Sequence, residues 1–404
     1  MSGFNLAITT GWPLKPDDFT PDAPGNVVRS TQGHWVYEPH PLPPQEGRLG
    51  LDFRLARELA EAERALGELA GVGRMLPNPH LLIRPFIQRE AVSSSRIEGT
   101  MTRLDQLFLF EAGPDQVGHP EDVEEVQNYV RASEHGLNLI RQGQPLSLRV
   151  IREVHRVLME GVRGGDRRPG EFRPCDVRIG RPSESWEDSR FIPPSHLRLV
   201  PILKEFESFI NTPSERPAIV DLALAHYQFE TIHPFMDGNG RVGRLLMVLM
   251  LCERGLLPEP LLYLSAYLET HNDEYRDHLL AVSQKAAWNG WIRFLCRGVI
   301  EQARDASMRA RRLLELWRRY RDEVGAASRS AAAIRLVDML FTQPYITVRS
   351  AAEYLSQTYA AAQNNVQKLV DATILRPLEG FANPRFFVAD AILKLLDQPL
   401  MNEN

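Results

Sequence analysis

Residues 231–246 read TIHPFMDGNGRVGRLL, from Thr231 to Leu246. A histidine, a carboxylate, an amide between two glycines and two arginines fall within a few turns of chain. Before it, Glu215 to Thr231 carries Ile219, Leu222, His226 and Phe229 at spacings of three and four, with Pro217 placed for a first turn, which predicts a helix. Pro234 has no amide hydrogen and disfavours helical geometry at His233. The helix is therefore expected to stop there and leave His233 on a rim. Met236 to Gly240 then predicts a tight polar turn, and Arg241 to Glu253 a second, strongly apolar helix. Gly238 and Gly240 permit backbone angles closed to other residues and leave amides open to an approaching anion.

The charges give this geometry a purpose. Arg241 and Arg244 lie three apart on one helix face, in first turns where the helix dipole disfavours cations by about 0.3 to 1 kcal/mol each. An anion over that helix end reverses the balance, and free N-terminal amides are natural phosphate sites. Asp237 adds unwanted negative charge there unless it holds Mg²⁺, a usual bridge between carboxylate and phosphates. His233 is the residue type that removes a proton from a hydroxyl near neutral pH. An N-cap turn with surface arginines explains none of these placements together. GNGRVG (Gly238 to Gly243) matches GxGxxG, but a helix and a proline turn precede it, where a dinucleotide fold needs a strand. No GxxxxGK[ST] occurs. His226, His233 and Asp237 have spacing that a zinc ion would accept, yet no cysteine cluster or HExxH accompanies them.

The run His233-Pro234-Phe235-Met236-Asp237-Gly238-Asn239-Gly240-Arg241, with Arg244 three further on, resembles the HPFx[D/E]GNGRxxR signature of the Fic (filamentation-induced-by-cAMP) family, and no position departs from it. The resemblance implies an adenylyltransferase that moves AMP from ATP to a protein Ser, Thr or Tyr hydroxyl and releases pyrophosphate, with ATP and Mg²⁺ required. It implies His233 as general base, Asp237 on Mg²⁺, Gly238, Asn239 and Gly240 at the phosphates, and Arg241 and Arg244 at their β/γ end. Two other functions follow from the same resemblance: removal of AMP from a modified protein, and a DNA-binding regulator with a vestigial core.

His80 to Thr100 predicts a helix in which Pro85 suits the start and Gly99 the end. Glu98 then lies at a helix C-terminus, where the dipole opposes its charge and a cation elsewhere would answer it. Ser94-x-x-x-Glu98-Gly99 resembles the (S/T)xxxE(G/N) inhibitory motif of Fic proteins with an N-terminal inhibitory helix. That likeness implies a Glu98–Arg244 pair in the space of the γ-phosphate. Val177 to Ile179 and Arg190 to Ile192 are short β-capable pieces around a polar loop, which suggests a hairpin. By resemblance this is the flap that docks a target segment by strand addition, with Ile179, Gly180 and Phe191 flanking the target side chain.

The expected fold is all-α, mainly helical with a small β-hairpin flap, plus a C-terminal winged-helix domain. Residues 1–135 form an N-terminal arm (anchored at Trp35 and Tyr37) and a helical region with the inhibitory helix. Residues 136–303 form the catalytic core, 304–330 a helical linker and 331–396 the winged helix. His135 and His155 read as ordinary surface or packed histidines, Trp288, Trp291 and Phe294 as packing, and Tyr263 and Leu264 as candidates for the adenine side. In the winged helix, Tyr359 to Asp371 would be the recognition helix, carrying Gln363, Asn364, Asn365, Gln367 and Lys368. Arg335, Arg349, Lys368, Arg376, Arg385 and Lys394 are nearly cancelled by Asp338, Glu353, Asp371, Glu379 and Asp390, so a protein contact is preferred to DNA.

Composition is consistent with this reading. The 404 residues suffice for two or three domains, 43% hydrophobic content is ordinary, and a net charge of -5 implies no general affinity for polyanions. Cys175, Cys252 and Cys296 form no disulfide framework, which points to a reducing cytoplasm. No run of eighteen apolar residues appears, so no membrane partner is expected; a protein substrate and a second copy of the chain are.

Overall fold

The computed structural model describes residues 14–45, 47–50, 52–75, 80–113, 121–162, 167–180, 186, 189–328, 330–380 and 384–397. The fold is predominantly helical. The N-terminal arm is a hairpin, β1 (Gly25–Arg29) against β2 (Trp35–Pro39), with Val27 opposite Tyr37. Tyr37 is fully buried and its amide donates to the Ile192 carbonyl at 2.9 Å, so the arm is anchored on the second β-capable piece of the expected flap. Trp35 instead takes the Arg29 guanidinium over its ring, 4.0 Å from the centroid.

Helix α1 (Phe53–Met75) buries Leu55, Leu59, Ala62, Leu66 and Leu69, the stripe expected of an amphipathic helix. Helix α2 (His80–Ile97) begins five residues before Pro85, so the proline lies inside it rather than at its start. The cost is limited to one lost hydrogen bond in the second turn, because the first four amides of a helix have no partner in any case. Its end is as expected. Gly99 has φ +97°, and the amides of Glu98 and Gly99 close back onto Ser95 and Arg96.

Next come α3 (Leu104–Ala112), α4 (Glu121–Arg141), α5 (Leu148–Leu158, capped by the Ser147 hydroxyl) and α6 (Leu199–Asn211). They pack around the central pair, α7 (Ala218–Ile232) and α8 (Asn239–Glu253), which are buried on nearly every face. A helix apolar all round belongs at the centre of a layer structure. In the first turn of α7, Asp221 is buried and paired with Arg216 at 2.7 Å and Arg254 at 3.0 Å. Behind them lie α9 (Ser265–Thr270), α10 (Asn272–Lys285) and α11 (Trp288–Ser328). This last helix runs unbroken for 41 residues, through the position where a linker was expected to begin.

The C-terminal region continues as α12 (Ala331–Thr342), β3 (Tyr345–Thr347), α13 (Val348–Leu355), α14 (Tyr359–Asp371), β4 (Arg376–Pro377), β5 (Phe386–Val388) and α15 (Asp390–Asp397). Its sheet has the order β3-β5-β4, antiparallel throughout. The region docks on the helical body. Gln343 donates to the Phe108 carbonyl at 2.7 Å, Arg309 to Leu395 at 2.5 Å, and Arg89 of α2 to Leu396. No helix among the described residues is long and apolar enough to cross a membrane.

The seam between α11 and α12 gives a stability prediction. Asp338 accepts from the Trp317 indole at 2.7 Å and from Arg321 at 2.7 Å, and it is largely covered. Asp338→Ala should cost about 1 to 3 kcal/mol by chemical denaturation. A loss below about 0.5 kcal/mol would mean that solvent already screens the cluster.

Candidate active site

The loop between α7 and α8 is set by buried polar groups. His233 caps α7 in the left-handed region, φ 50° and ψ 62°, a conformation costing about 1 to 3 kcal/mol for a non-glycine residue. Arg173, itself buried, holds it there. Its Nε donates to the His233 carbonyl at 2.9 Å, its Nη2 to Pro194 at 2.5 Å and its Nη1 to Cys175 at 3.0 Å, while its amide donates to Pro234 at 2.9 Å. Burial holds this guanidinium down, at about 10. The Asn239 side chain spans the turn: its Oδ1 accepts from the Phe235 amide at 2.8 Å and its Nδ2 donates to the Phe235 carbonyl at 2.9 Å.

His155 of α5 is the second support. It is buried, stacks on Phe235 with ring centroids 3.7 Å apart and planes 7° off parallel, and uses both nitrogens. Nδ1 accepts from the Gly170 amide at 2.8 Å, and Nε2 donates to the Asp237 carbonyl at 3.0 Å. Burial pushes it down to about 4. Expected to be an ordinary histidine, it joins the catalytic loop to Gly170, ahead of the flap. Neither it nor Arg173 carries a signal in one sequence that separates it from any packed histidine or surface arginine.

Around this loop the predicted residues converge. The His233 Nδ1 donates to the Glu230 carbonyl at 3.3 Å, which leaves Nε2 as the unprotonated nitrogen. Burial, then the nearby Arg173 charge, lower this imidazole to about 4. Asp237 is partly exposed, with Arg167 at 3.6 Å, Arg241 at 4.0 Å and its Oδ1 on the Gly238 amide at 2.7 Å. Gly238 has φ +75° and lies against Met159, where a side chain would collide. The first intrahelical bond of α8 joins the Val242 amide to Gly238, so the amides of Asn239, Gly240 and Arg241 have no intrahelical acceptor.

Arg241 is buried with Glu125 at 3.4 Å, a partner that sequence reasoning did not name, and its Nε has no hydrogen-bond partner among the described residues. Arg244 is buried too. Its Nε donates to the Ser94 hydroxyl at 2.9 Å, and its Nη2 to the Ser94 carbonyl at 2.9 Å and to Glu98 Oε1 at 2.6 Å. Burial opposes both charges, and their pairing overcomes it, so Glu98 is lowered and Arg244 raised. The Glu98 carboxylate lies over Gly240, where any side chain would overlap it.

Other expectations fare differently. Ile179 pairs with Phe191 through a single antiparallel bridge, and regular strands do not form there among the described residues. Gly180 is exposed beside it, and the loop at 181–185 and 187–188 lies outside the described residues. Phe191 packs with Tyr37 and Ile192, so its ring is committed to the arm. Tyr263, offered toward adenine, is fully buried and donates to Asp305. His226 faces the Tyr275 hydroxyl at 2.7 Å and stacks near Trp291, away from the zinc set that spacing allowed.

No group of three or more His, Cys, Asp or Glu side chains among the described residues could hold a metal ion. A lone Asp237 suits Mg²⁺, which takes one or two carboxylates with phosphate oxygens and water rather than an all-protein cage. The unpartnered Arg241 Nε and the three open amides suit an anion.

Comparison with known proteins agrees with this arrangement. Residues 56–138 match the Fic/DOC family N-terminal region and residues 145–251 the Fic/DOC family itself. The chain carries a Fic/DOC family domain. It is 29% identical over 163 residues to "Protein adenylyltransferase Fic" of Aedes aegypti, covering 39% of this chain and 28% of that one. To the protein of the same name in Drosophila erecta it is 36% identical over 118 residues, covering 28% of this chain and 21% of that one. The chain thus spans less than a third of these curated relatives. A Fic family protein from Desulfovibrio desulfuricans G20 has the same fold, with TM-score 0.55 and 18% identity over 85% of this chain and 97% of that one. Within the Fic/DOC match fall Asp237, His233, both arginines, Arg173 and His155, while Ser94 and Glu98 fall in the N-terminal match.

Three histidines of this Fic/DOC core, His155, His226 and His233, are held below their ordinary pKa by burial, which makes acid sensitivity predictable. Their folded pKa values lie below the unfolded value of about 6.5, so the unfolded chain binds more protons as pH falls from about 6.5 toward about 4. Stability is full above that window and is lost through it. His155 alone should contribute about 2 kcal/mol of the loss between pH 7 and pH 5. Denaturation of the parent and His155→Gln at both values checks this, and parallel losses would contradict it.

Proposed function

We propose that this chain is a protein adenylyltransferase that moves AMP from ATP to a Ser, Thr or Tyr hydroxyl of a target protein and is restrained by Glu98. The observation that carries the reading is His233, oriented through Nδ1 by the Glu230 carbonyl, beside a helix N-terminus whose Arg244 already holds a carboxylate. The names of the Aedes aegypti and Drosophila erecta relatives support the same activity.

In the proposed reaction the target hydroxyl oxygen bonds to the α-phosphorus as the bond to the β-bridging oxygen breaks, and pyrophosphate leaves. His233 Nε2 takes the hydroxyl proton, which a neutral imidazole does and a protonated one cannot. The α8 amides and Arg241 hold the polyphosphate; the buried Nε without a partner gains an acceptor there. Mg²⁺, held by Asp237 with phosphate oxygens, would supply positive charge to the leaving group. Arg244 serves the terminal phosphate, and Glu98 competes for it. The Arg173 and His155 contacts keep the base and the Asp237 backbone in place through the transfer.

The C-terminal region is read as a winged-helix-like module for protein contact. Asn365, one of five polar groups on the proposed recognition helix, is turned inward, with Ser330 donating to its Oδ1 at 3.0 Å and its Nδ2 donating to the Ala361 carbonyl at 3.0 Å. That removes one group from any base-reading set.

His233→Ala should abolish transfer from labelled ATP while nucleotide binding survives, because the base acts in the chemical step. Unchanged transfer would remove the assignment. Glu98→Gly should raise the initial rate, on the chain itself or its target, by about tenfold or more, equal to about 1.4 kcal/mol. Adding Arg244→Ala should cancel that gain. A double variant that stays fast would exclude Arg244 as the shared partner.

A further inference from the structure

Glu230 is an acid of this site that the proposed reaction leaves unused. It lies on the last turn of α7, three residues before His233, and its backbone carbonyl already orients that base. Its side chain turns toward α8 into space that exists because residue 243 is glycine. A Cβ at Gly243 would overlap Glu230 Oε1. That oxygen is buried and has no hydrogen-bond partner among the described residues. A carboxylate oxygen in this situation bears a desolvation cost that no donor repays.

The groups around it come from several helices. From α7, His226 Nε2 stands 4.0 Å away, already engaged by the Tyr275 hydroxyl of α10. Arg244 approaches from α8 as the one nearby cation, and Glu98 from the end of α2 as a competing anion. From α11, Trp291 covers His226 with an apolar ring. Burial, offset in part by Arg244 and reinforced by Glu98, pushes the Glu230 carboxyl up to about 7. Glu98 forms the ion pair with that guanidinium, and Glu230 feels its charge without a hydrogen bond to it.

We propose that Glu230 is a proton-carrying member of the phosphate end of the nucleotide site: it takes up a proton from solvent when a terminal phosphate engages Arg244 and gives it back when that phosphate leaves. This rests on the adenylyltransferase reading, which supplies the phosphate. A phosphate brings more negative charge than the carboxylate it displaces, and Arg244 cannot neutralise both it and Glu230. Protonating the acid that lacks donors is the least costly response. The sign follows. Ionised Glu230 opposes the phosphate, so triphosphate affinity is highest below the pH at which Glu230 ionises and falls as pH rises through it.

The experiment is titration calorimetry of the full-length Glu98→Gly chain, with and without Glu230→Gln. The ligand is a non-hydrolysable ATP analogue with Mg²⁺, in buffers of differing ionisation enthalpy near pH 7.5. The chain that keeps Glu230 should take up about half a proton or more per analogue beyond the glutamine variant, whose uptake reads only the nucleotide's own titration. Equal uptake overturns the role of Glu230. Absence of binding heat in both chains instead overturns the nucleotide reading, so the two failures are distinct. If Glu230→Gln does not fold, AMP replaces it as the comparison on the Glu98→Gly chain. AMP has no terminal phosphate for Arg244 and should bind without the extra proton, and equal uptake for AMP and the analogue overturns the proposal.

Discussion

A buried guanidinium is tolerable only when its donors are answered, and at Arg244 close answers come from Ser94 in α2 and Glu98 just beyond its end. Ser94 accepts twice and Glu98 once, at distances of 2.6 to 2.9 Å. The pair also resolves two dipole conflicts at once, since Glu98 stands just past a helix C-terminus and Arg244 in the first turns of another helix. Neither placement is favourable alone. Together they tie the N-terminal helical region to the core and leave the carboxylate over Gly240, on the face of α8 that the open amides make ready for an anion.

The loop that bears His233 depends on a comparable economy. Its left-handed turn, its bonded carbonyls and its stacked Phe235 are held from outside by Arg173 and His155 and from within by Asn239. Each of these side chains spends its polar atoms on backbone groups rather than on solvent. The geometry around the base is therefore fixed before any ligand arrives, which is what preorganised acid–base chemistry requires. The asymmetry of the pair at Arg244 is informative in the same way. Glu98 is partly exposed and could move, whereas Glu230 is enclosed and can respond only by changing its proton.

Much of this was legible in the sequence because it rests on local rules. Pro234 ends α7 at His233, the glycines open the start of α8, and Gly99 turns the chain after α2. What escaped was non-local. Nothing near Arg173, His155 or Glu125 in the chain indicates the carbonyls and guanidinium that they meet across the fold. Pro85 was misplaced because a second-turn proline costs one bond, which packing of α2 against the core absorbs. The hairpin of the arm leaves little signal in the sequence because its strands are short, and it is held by burying Tyr37 against Ile192 and Phe191. At the flap, the β-capable residues are present but only one bridge forms among those described.

The central claim is that the Glu98 carboxylate occupies the place of a nucleotide's terminal phosphate on Arg244. The most direct test compares the affinities of the parent and Glu98→Gly for a non-hydrolysable ATP analogue and for AMP, by calorimetry with Mg²⁺ present. The account predicts that the substitution strengthens analogue binding by about tenfold or more, equal to about 1.4 kcal/mol, and leaves AMP binding unchanged. An equal gain for both ligands, or none for the analogue, would contradict it.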